Sequence, residues 1–422
     1  MVPEERESAT WGIVRYTSPV PAASATLHLS RRLPWEASRN RLAAAVEERA
    51  RRGLETIDLT ASNPTRVGLP YPTEELAELL RRAAGAEYRP HPLGLVSARE
   101  ALAEALSRPD DRVSPDDLAL TASTSEAYGF LFKLFADPGE EVLTAVPTYP
   151  LLDDLAALEG LRLRHFPLEA DRRFGVDPGA VLRALTPATR LLVVVHPNNP
   201  TGSYLRRAEM DELAGICASR GLALLSDEVF ADFPLHPEEG RFRPGAARED
   251  ALAFSLSGLS KSAGLPGFKL AWIRAGGPPP ERRRALAALE RVTDGYLSVA
   301  TPVQRALPGI LALAPRIRAA ILGRLQENLA GLAAALAEVP AAALLAPQGG
   351  WSAVVRVPRI LPDEELALSL LDRAGVLVHP GYFFDFPGEG YLVVSLLPDP
   401  AGFALGARRL AAHLLALADP RR

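Results

Sequence analysis

Short apolar runs alternate with amphipathic helical stretches through the middle of the chain, and this alternation limits the possible folds more than any other feature. DDLALTA, EVLTAVP, TRLLVVVHP and LALLSDEV read as strands. SEAYGFLFKLFADPG, LLDDLAALEG and AEMDELAGICASRG carry helical periodicity and close at Gly or Pro-Gly. Apolar runs of about four to eight residues between helices indicate buried parallel strands. The expected fold is therefore α/β, with a large doubly wound, mostly parallel sheet covered by helices on both faces. This large domain is expected over residues 60–310. Beyond it the pattern changes. Residues 279–340 read as mainly helical, and WSAVVRV, EELALSLLDRAG, VLVH and YLVVSLL then mix short strands with a helix. Both chain ends, 1–59 and 311–422, are expected to form a smaller α+β domain. The helix NRLAAAVEERARRG would join it, and the helical segment near 300–335 would bridge the two parts.

Ligands of such sheets bind where the strands end at their carboxyl termini. The loops at those points are unusually rich in chemistry. Ser123-Thr124-Ser125-Glu126 follows LALTA, and Pro147-Thr148-Tyr149-Pro150 follows EVLTAV. His196-Pro197-Asn198-Asn199-Pro200-Thr201-Gly202 follows LLVVV, and Asp227-Glu228-Val229-Phe230 follows LALLS. The last loop, Ser257 to Lys269, reads SGLSKSAGLPGFK. Together they offer hydroxyls and backbone N–H at a helix start, an aromatic face, a side-chain amide, a carboxylate and a lysine.

Lysine is scarce. Only three of the 47 Lys and Arg residues are lysine: Lys133, Lys261 and Lys269. A chain that uses arginine almost everywhere should keep lysine where a guanidinium cannot serve. The clearest such task is a covalent imine, which needs a primary amine able to lose its proton.

Other chemistries find less support. No G-x-G-x-x-G follows a strand, and G-x-x-x-x-G-K-[ST] and G-x-S-x-G do not occur. The seven histidines show no metal-ligand spacing, so no metal is expected. A net charge of −4 gives no reason to expect nucleic acid as a partner. The N-terminal MVPEERESATWGIVRY puts acids where an export signal needs basic residues, and no long uncharged apolar stretch predicts a membrane span. With one cysteine, Cys217, the chain suits a reducing cytoplasm.

The loop inventory matches the needs of pyridoxal 5′-phosphate. Its phosphate takes a helix N-terminus and hydroxyls. Its ring takes an aromatic partner. Its ring nitrogen takes a carboxylate, and its aldehyde a lysine.

H-P-N-N-P-T-G, the downstream aspartate and S-K-x-x-G-L-P-G occur here in an order and spacing that resemble the class I/II aminotransferases, on the aspartate-aminotransferase-like fold. The resemblance covers nearly the whole chain. It implies a transaminase that moves an amino group from an amino donor to an oxo-acid acceptor. Lys261 would hold the cofactor as an internal aldimine and shuttle the proton. Asp227 would pair with the ring nitrogen, Asn199 would bond the ring oxygen, and Tyr149 would stack on the ring. Ser123, Thr124 and Ser125 would cradle the phosphate, assisted by Ser260 and Lys269. Tyr88, in Y-R-P-H-P-L-G-L, and the segment from Ser298 to Thr301 resemble elements that reach a neighbouring subunit, which implies a homodimer with shared sites. Each residue also has a plainer role open to it: a helix cap for Ser123, Thr124 or Asp227, a turn former for Asn199, a core aromatic for Tyr149.

Three positions depart from the family pattern. Lys269 stands where an arginine is usual, and Phe230 where a tyrosine is frequent. Val393, in Y-L-V-V-S, replaces the arginine that clamps the substrate carboxylate. Arg66, or Arg15 after it, is the candidate replacement. Otherwise the same fold could run a β-lyase, decarboxylase or synthase reaction. A transcription regulator built on this fold is the third reading, but no basic recognition helix precedes the sheet.

Overall fold

DDLALTA, EVLTAVP, TRLLVVVHP and LALLSDEV each form a strand, because their side chains can be buried on both faces, whereas VLVH is divided between Val376–Leu377 and His379–Pro380, which join different sheets. In Thr189–Val195 every residue except Arg190 is buried. The computed structural model describes residues 29–33, 40–85, 87–236, 244–297 and 299–418. In chain order the first strands are β1 (Ile57–Asp58), β2 (Leu118–Thr121), β3 (Glu141–Val146), β4 (Arg162–Pro167) and β5 (Thr189–Val195). Next come β6 (Ala223–Asp227), β7 (Ala253–Gly258) and β8 (Ala271–Gly276). The last are β9 (Ala343–Leu345), β10 (Ser352–Arg356), β11 (Val376–Leu377), β12 (His379–Pro380) and β13 (Tyr391–Ser395).

The chain divides into two units. The larger holds Leu69–Leu322 and Pro347–Gly350. The smaller holds the described residues up to Gly68, then Gly323–Ala346, then those from Trp351 onward. The sequence reading divides the chain after residues 59 and 310. The division at Leu322 lies inside the continuous helix Thr301–Leu336, where the helical pattern runs on unbroken.

The larger unit is built on a seven-stranded sheet ordered β2-β8-β7-β6-β5-β3-β4. β8 runs antiparallel to both neighbours, and the remaining pairs are parallel. The expected α/β class with a large, mostly parallel sheet is therefore borne out. One consequence matters for function: β2, β3, β5, β6 and β7 all end at the same edge. The helix Thr124–Phe135 lies against this sheet and buries Ala127, Tyr128, Phe130, Leu131 and Phe132. With Phe254, Ile273 and Leu289 they belong to the main core. Truncating a fully buried leucine such as Leu131 to alanine should cost about 2–5 kcal/mol.

The smaller unit carries an antiparallel sheet ordered β12-β13-β10-β9. Val393 in β13 is registered between Val354 of β10 and His379 of β12. The buried Asp363 carboxylate accepts the Gly390 N–H at 2.6 Å and the Tyr391 N–H at 3.2 Å, which fixes the entry to β13. The C-terminal helix Pro400–Ala418 packs over the parallel pair β1–β11. A Cβ on Gly406 would lie 2.9 Å from both Ile57 and Leu59, so this contact needs glycine.

The helix expected near 300–335 is present as Thr301–Leu336. By length and mean hydropathy it could cross a membrane. Its buried residues Leu307, Ile310, Ala314, Ile317, Ile321 and Leu325 instead recur at three- and four-residue spacing. Arg316, Arg318 and Arg324 lie between them, and Arg305 and Glu327 flank them. An apolar stripe with charges elsewhere is the pattern of a helix packed on a protein core.

Candidate active site

The loop after β2 opens a helix of 12 residues. Ser123 is its N-cap, and its Oγ accepts the Glu126 N–H at 3.1 Å. The Glu126 carboxylate turns back to accept the Ala122 N–H at 2.6 Å. Ser123 and Glu126 thus answer each other much as in a capping box. The N–H groups of Thr124 and Ser125 make no hydrogen bond to described residues. First-turn N–H groups aligned with the positive end of a helix dipole suit an anion.

The loops after β3 and β5 are tied by Asn198. Its Nδ2 donates to the Pro147 carbonyl at 3.2 Å. Its Oδ1 accepts the Thr201 N–H at 3.2 Å and the Thr201 hydroxyl at 2.8 Å. Asn198 is buried and serves as scaffold, so its half-buried neighbour Asn199 is left with an amide that bonds no described residue. Tyr149 is half-buried beside Pro147, its hydroxyl pushed up to about 12 by burial and then by the Asp227 charge.

Asp227 ends β6, registered against Val195 of β5 and Leu256 of β7. Its Oδ2 accepts the Tyr128 hydroxyl at 3.0 Å, and its Oδ1 accepts the Val229 N–H at 3.1 Å. Burial pushes the carboxyl up to about 6, against the effect of both donors and of Lys261. His196 is the buried histidine of H-P-N-N-P-T-G. Its backbone N–H donates to the Asp227 carbonyl at 2.7 Å, and its Nδ1 accepts the Leu205 N–H at 2.9 Å. Burial lowers its pKa to about 3, so it is a neutral structural residue.

Lys261 lies in the short helix Leu259–Ser262 that follows β7. Gly258 starts this turn, and a Cβ there would lie 2.7 Å from the Ala271 Cβ. The Lys261 amine is lowered to about 8 by burial, partly offset by the Asp227 carboxylate. Its Nζ lies 5.9 Å from the centre of the Phe230 ring. Ser260 is half-buried beside it. Lys269 is exposed and holds a left-handed φ of 48° at the end of the turn Pro266–Phe268.

The sheet therefore gathers Ser123, Thr124, Ser125, Tyr149, Asn199, Asp227, Ser260 and Lys261 onto loops at one edge. Tyr88 is on the surface, 58% exposed. Val393 is buried among valines in the smaller unit and supplies no charge. Arg66 is exposed at the end of the turn Pro64–Arg66. Arg15 and Ser298 lie outside the described residues. Sequence reasoning missed Tyr128 as the partner of Asp227. Its one signal was a polar hydroxyl a helical turn past Thr124, within an otherwise apolar run.

This donor set fits pyridoxal 5′-phosphate. Two open N–H groups at a helix start suit its phosphate, and the unpartnered Asn199 amide suits a ring oxygen. The buried Asp227 carboxylate suits a protonated ring nitrogen, and an amine of lowered basicity suits an aldehyde.

Comparison with known proteins adds an independent observation. The family model "Aminotransferase class I and II" matches residues 55–399. The chain is 25% identical to a glutamate-pyruvate aminotransferase of Haemophilus influenzae over 353 residues, 82% of this chain and 87% of that one. It is 26% identical to an alanine aminotransferase of Mycobacterium tuberculosis over 86% of each chain. Among solved structures it resembles a single mutant of Thermus thermophilus aspartate aminotransferase, at 26% identity and a TM-score of 0.79 over 92% of this chain and 100% of the other.

Proposed function

The chain belongs to the class I and II aminotransferases, pyridoxal-phosphate-dependent enzymes, and we propose that Lys261 carries the cofactor in a transamination between an amino acid and a 2-oxo acid. The observation that supports this most directly is the placement of Lys261 and Asp227 on neighbouring strand ends, each with its ionisation displaced by burial and opposed by the other. When bound, the cofactor supplies an electron sink for the charge left on the substrate carbon as its proton departs. The Lys261 Nζ, with its lowered basicity, is suited to take that proton and return it. The Asp227 carboxylate is suited to hold the ring nitrogen protonated. The Asn199 amide would donate to the ring oxygen, and Tyr149 would cover the ring. The N–H groups of Thr124 and Ser125, with the hydroxyls of Ser123, Thr124, Ser125 and Ser260, would hold the phosphate. Lys269 would add charge there without the bidentate geometry of arginine.

The two named aminotransferase relatives favour transamination over β-elimination, decarboxylation or synthase chemistry. Val393 carries no charge, and a buried carboxylate without a cation or donors is costly, so the substrate carboxylate needs another cation, for which Arg66 or Arg15 is the candidate. The working form is a cytoplasmic homodimer in which Tyr88 serves the partner's site; a monomer by sedimentation at assay concentration would contradict this. The reaction itself is tested by adding single amino acids to the yellow protein. Bleaching to the amine form of the cofactor, with one equivalent of 2-oxo acid released, is expected. Release of pyruvate and ammonia with the cofactor spectrum unchanged would contradict it.

A further inference from the structure

We propose that Tyr128 is a positioning residue that holds the Asp227 carboxylate ionised and oriented toward the cofactor's ring nitrogen. The proposal rests on the reading of the site as a pyridoxal-phosphate site. Its geometric basis is direct. The Tyr128 hydroxyl donates to Asp227 Oδ2 at 3.0 Å, and both residues are buried. Asp227 Oδ1 is held separately by the Val229 N–H at 3.1 Å. Each oxygen of the carboxylate therefore has its own donor.

A phenol has one proton, and toward an ionised carboxylate it can only donate. A protonated carboxyl would bond the same phenol only as a neutral partner, without the charge assistance the anion gives the bond. The arrangement therefore favours the anion, which is the form able to hold a protonated ring nitrogen. Burial works the other way and is the larger influence on this group. Removing the phenol would leave burial less opposed, so more of the carboxyl would be protonated at neutral pH.

The groups facing Asp227 come from four elements. Tyr128 belongs to the helix Thr124–Phe135, Tyr149 follows β3, His196 follows β5 and Lys261 follows β7. His196 is neutral and engaged through its Nδ1 with Leu205. Lys261 favours the anion by charge. Tyr149 feels the carboxylate as a charge that raises its own pKa. Tyr128 is the phenol that bonds the carboxylate. Its position also links two parts of the site. The same helix presents Thr124 and Ser125 at its start and Tyr128 about one turn later, so one rigid element sets both the phosphate end and the nitrogen end.

The test compares Tyr128→Phe with wild type in two states. In the apoprotein, labelled with carboxyl-13C aspartate and assigned through Asp227→Asn, the Asp227 titration midpoint should rise by at least about half a pH unit in the variant. In the holoenzyme, kcat should fall about tenfold with KM changed by less than about twofold, and this loss should vanish in an Asp227→Asn background. Placing 3-fluorotyrosine at position 128 keeps the shape, strengthens the donor and should move the midpoint down. It also serves if the phenylalanine variant does not fold. An unmoved midpoint in either variant, or the same loss of kcat in both backgrounds, would overturn the proposal. Failure of the wild-type protein to take up pyridoxal phosphate would instead overturn the reading of the site, while the apoprotein titration would still judge the Tyr128–Asp227 link.

Discussion

The Lys261 ammonium lies 5.9 Å from the centre of the Phe230 ring, where the family often places a tyrosine. The ring face attracts the cation modestly but offers no hydrogen bond. On the proposed function, the cofactor's ring oxygen would lack the donor that a tyrosine would supply, which should leave the lysine–cofactor linkage more basic. Phe230→Tyr should lower the pH at which the visible band of the bound cofactor changes by about half a unit to one unit. A spectrophotometric pH titration checks this; an unchanged midpoint would show that position 230 does not reach the ring oxygen.

Asp227 should make the cofactor-free protein less stable as pH rises. Its carboxyl is raised to about 6 in the fold from 3.8, so between those values the folded chain binds more protons than the unfolded one. Stability from this group is fully present below the unfolded value and is lost as pH rises through about 6. Asp227→Asn should therefore raise the Tm of the apoprotein by about 2 °C at pH 8, with a smaller gain at pH 5. Calorimetry at the two pH values reads the difference. A gain that is larger at pH 5 would reverse the assigned ionisation.

Asn198 joins the loops that carry Tyr149 and Asn199. Its side chain makes three hydrogen bonds inside the protein, to Pro147 and to Thr201 twice. Asn198→Ala should destabilise the protein by about 1–3 kcal/mol, since buried partners lose their bonds. Cofactor release should also quicken, because both loops face the proposed ring site. Denaturant unfolding and the rate of cofactor loss measure the two effects, and a change in neither would remove Asn198 from the scaffold.

The main sheet was legible because β2, β3, β5 and β6 are nearly all apolar, a pattern that solvent-facing segments cannot tolerate. β4 was not. Arg162, Arg164 and His165 interrupt it, as suits an edge strand that must discourage further pairing. β8 was hidden by Arg274, whose buried guanidinium pairs with Asp111 at 2.7 Å. The site loops could be read because parallel strands send their carboxyl ends to one edge, so spacing along the chain became proximity in space. Tyr128 could not be read. Its partner lies 99 residues away, and helix periodicity marks it only as a core position.

On the proposed function, the uncharged Val393 would leave the substrate carboxylate to be bound by a cation elsewhere. Arg66→Ala should raise KM for the amino donor about tenfold or more while cofactor retention stays within about twofold. Steady-state kinetics with one donor and one acceptor, set beside equilibrium dialysis of the cofactor, separates these. An unchanged KM would remove Arg66 from substrate binding.

The most direct test of the account is to reduce the cofactor-loaded protein with borohydride, digest it and locate the modified lysine by mass spectrometry. Only three lysines are available. The account predicts the pyridoxyl group on Lys261, and its complete loss together with turnover in Lys261→Ala and Lys261→Arg, because a guanidinium cannot form the required bond. A label on Lys133 or Lys269, or turnover retained in Lys261→Ala, would contradict it.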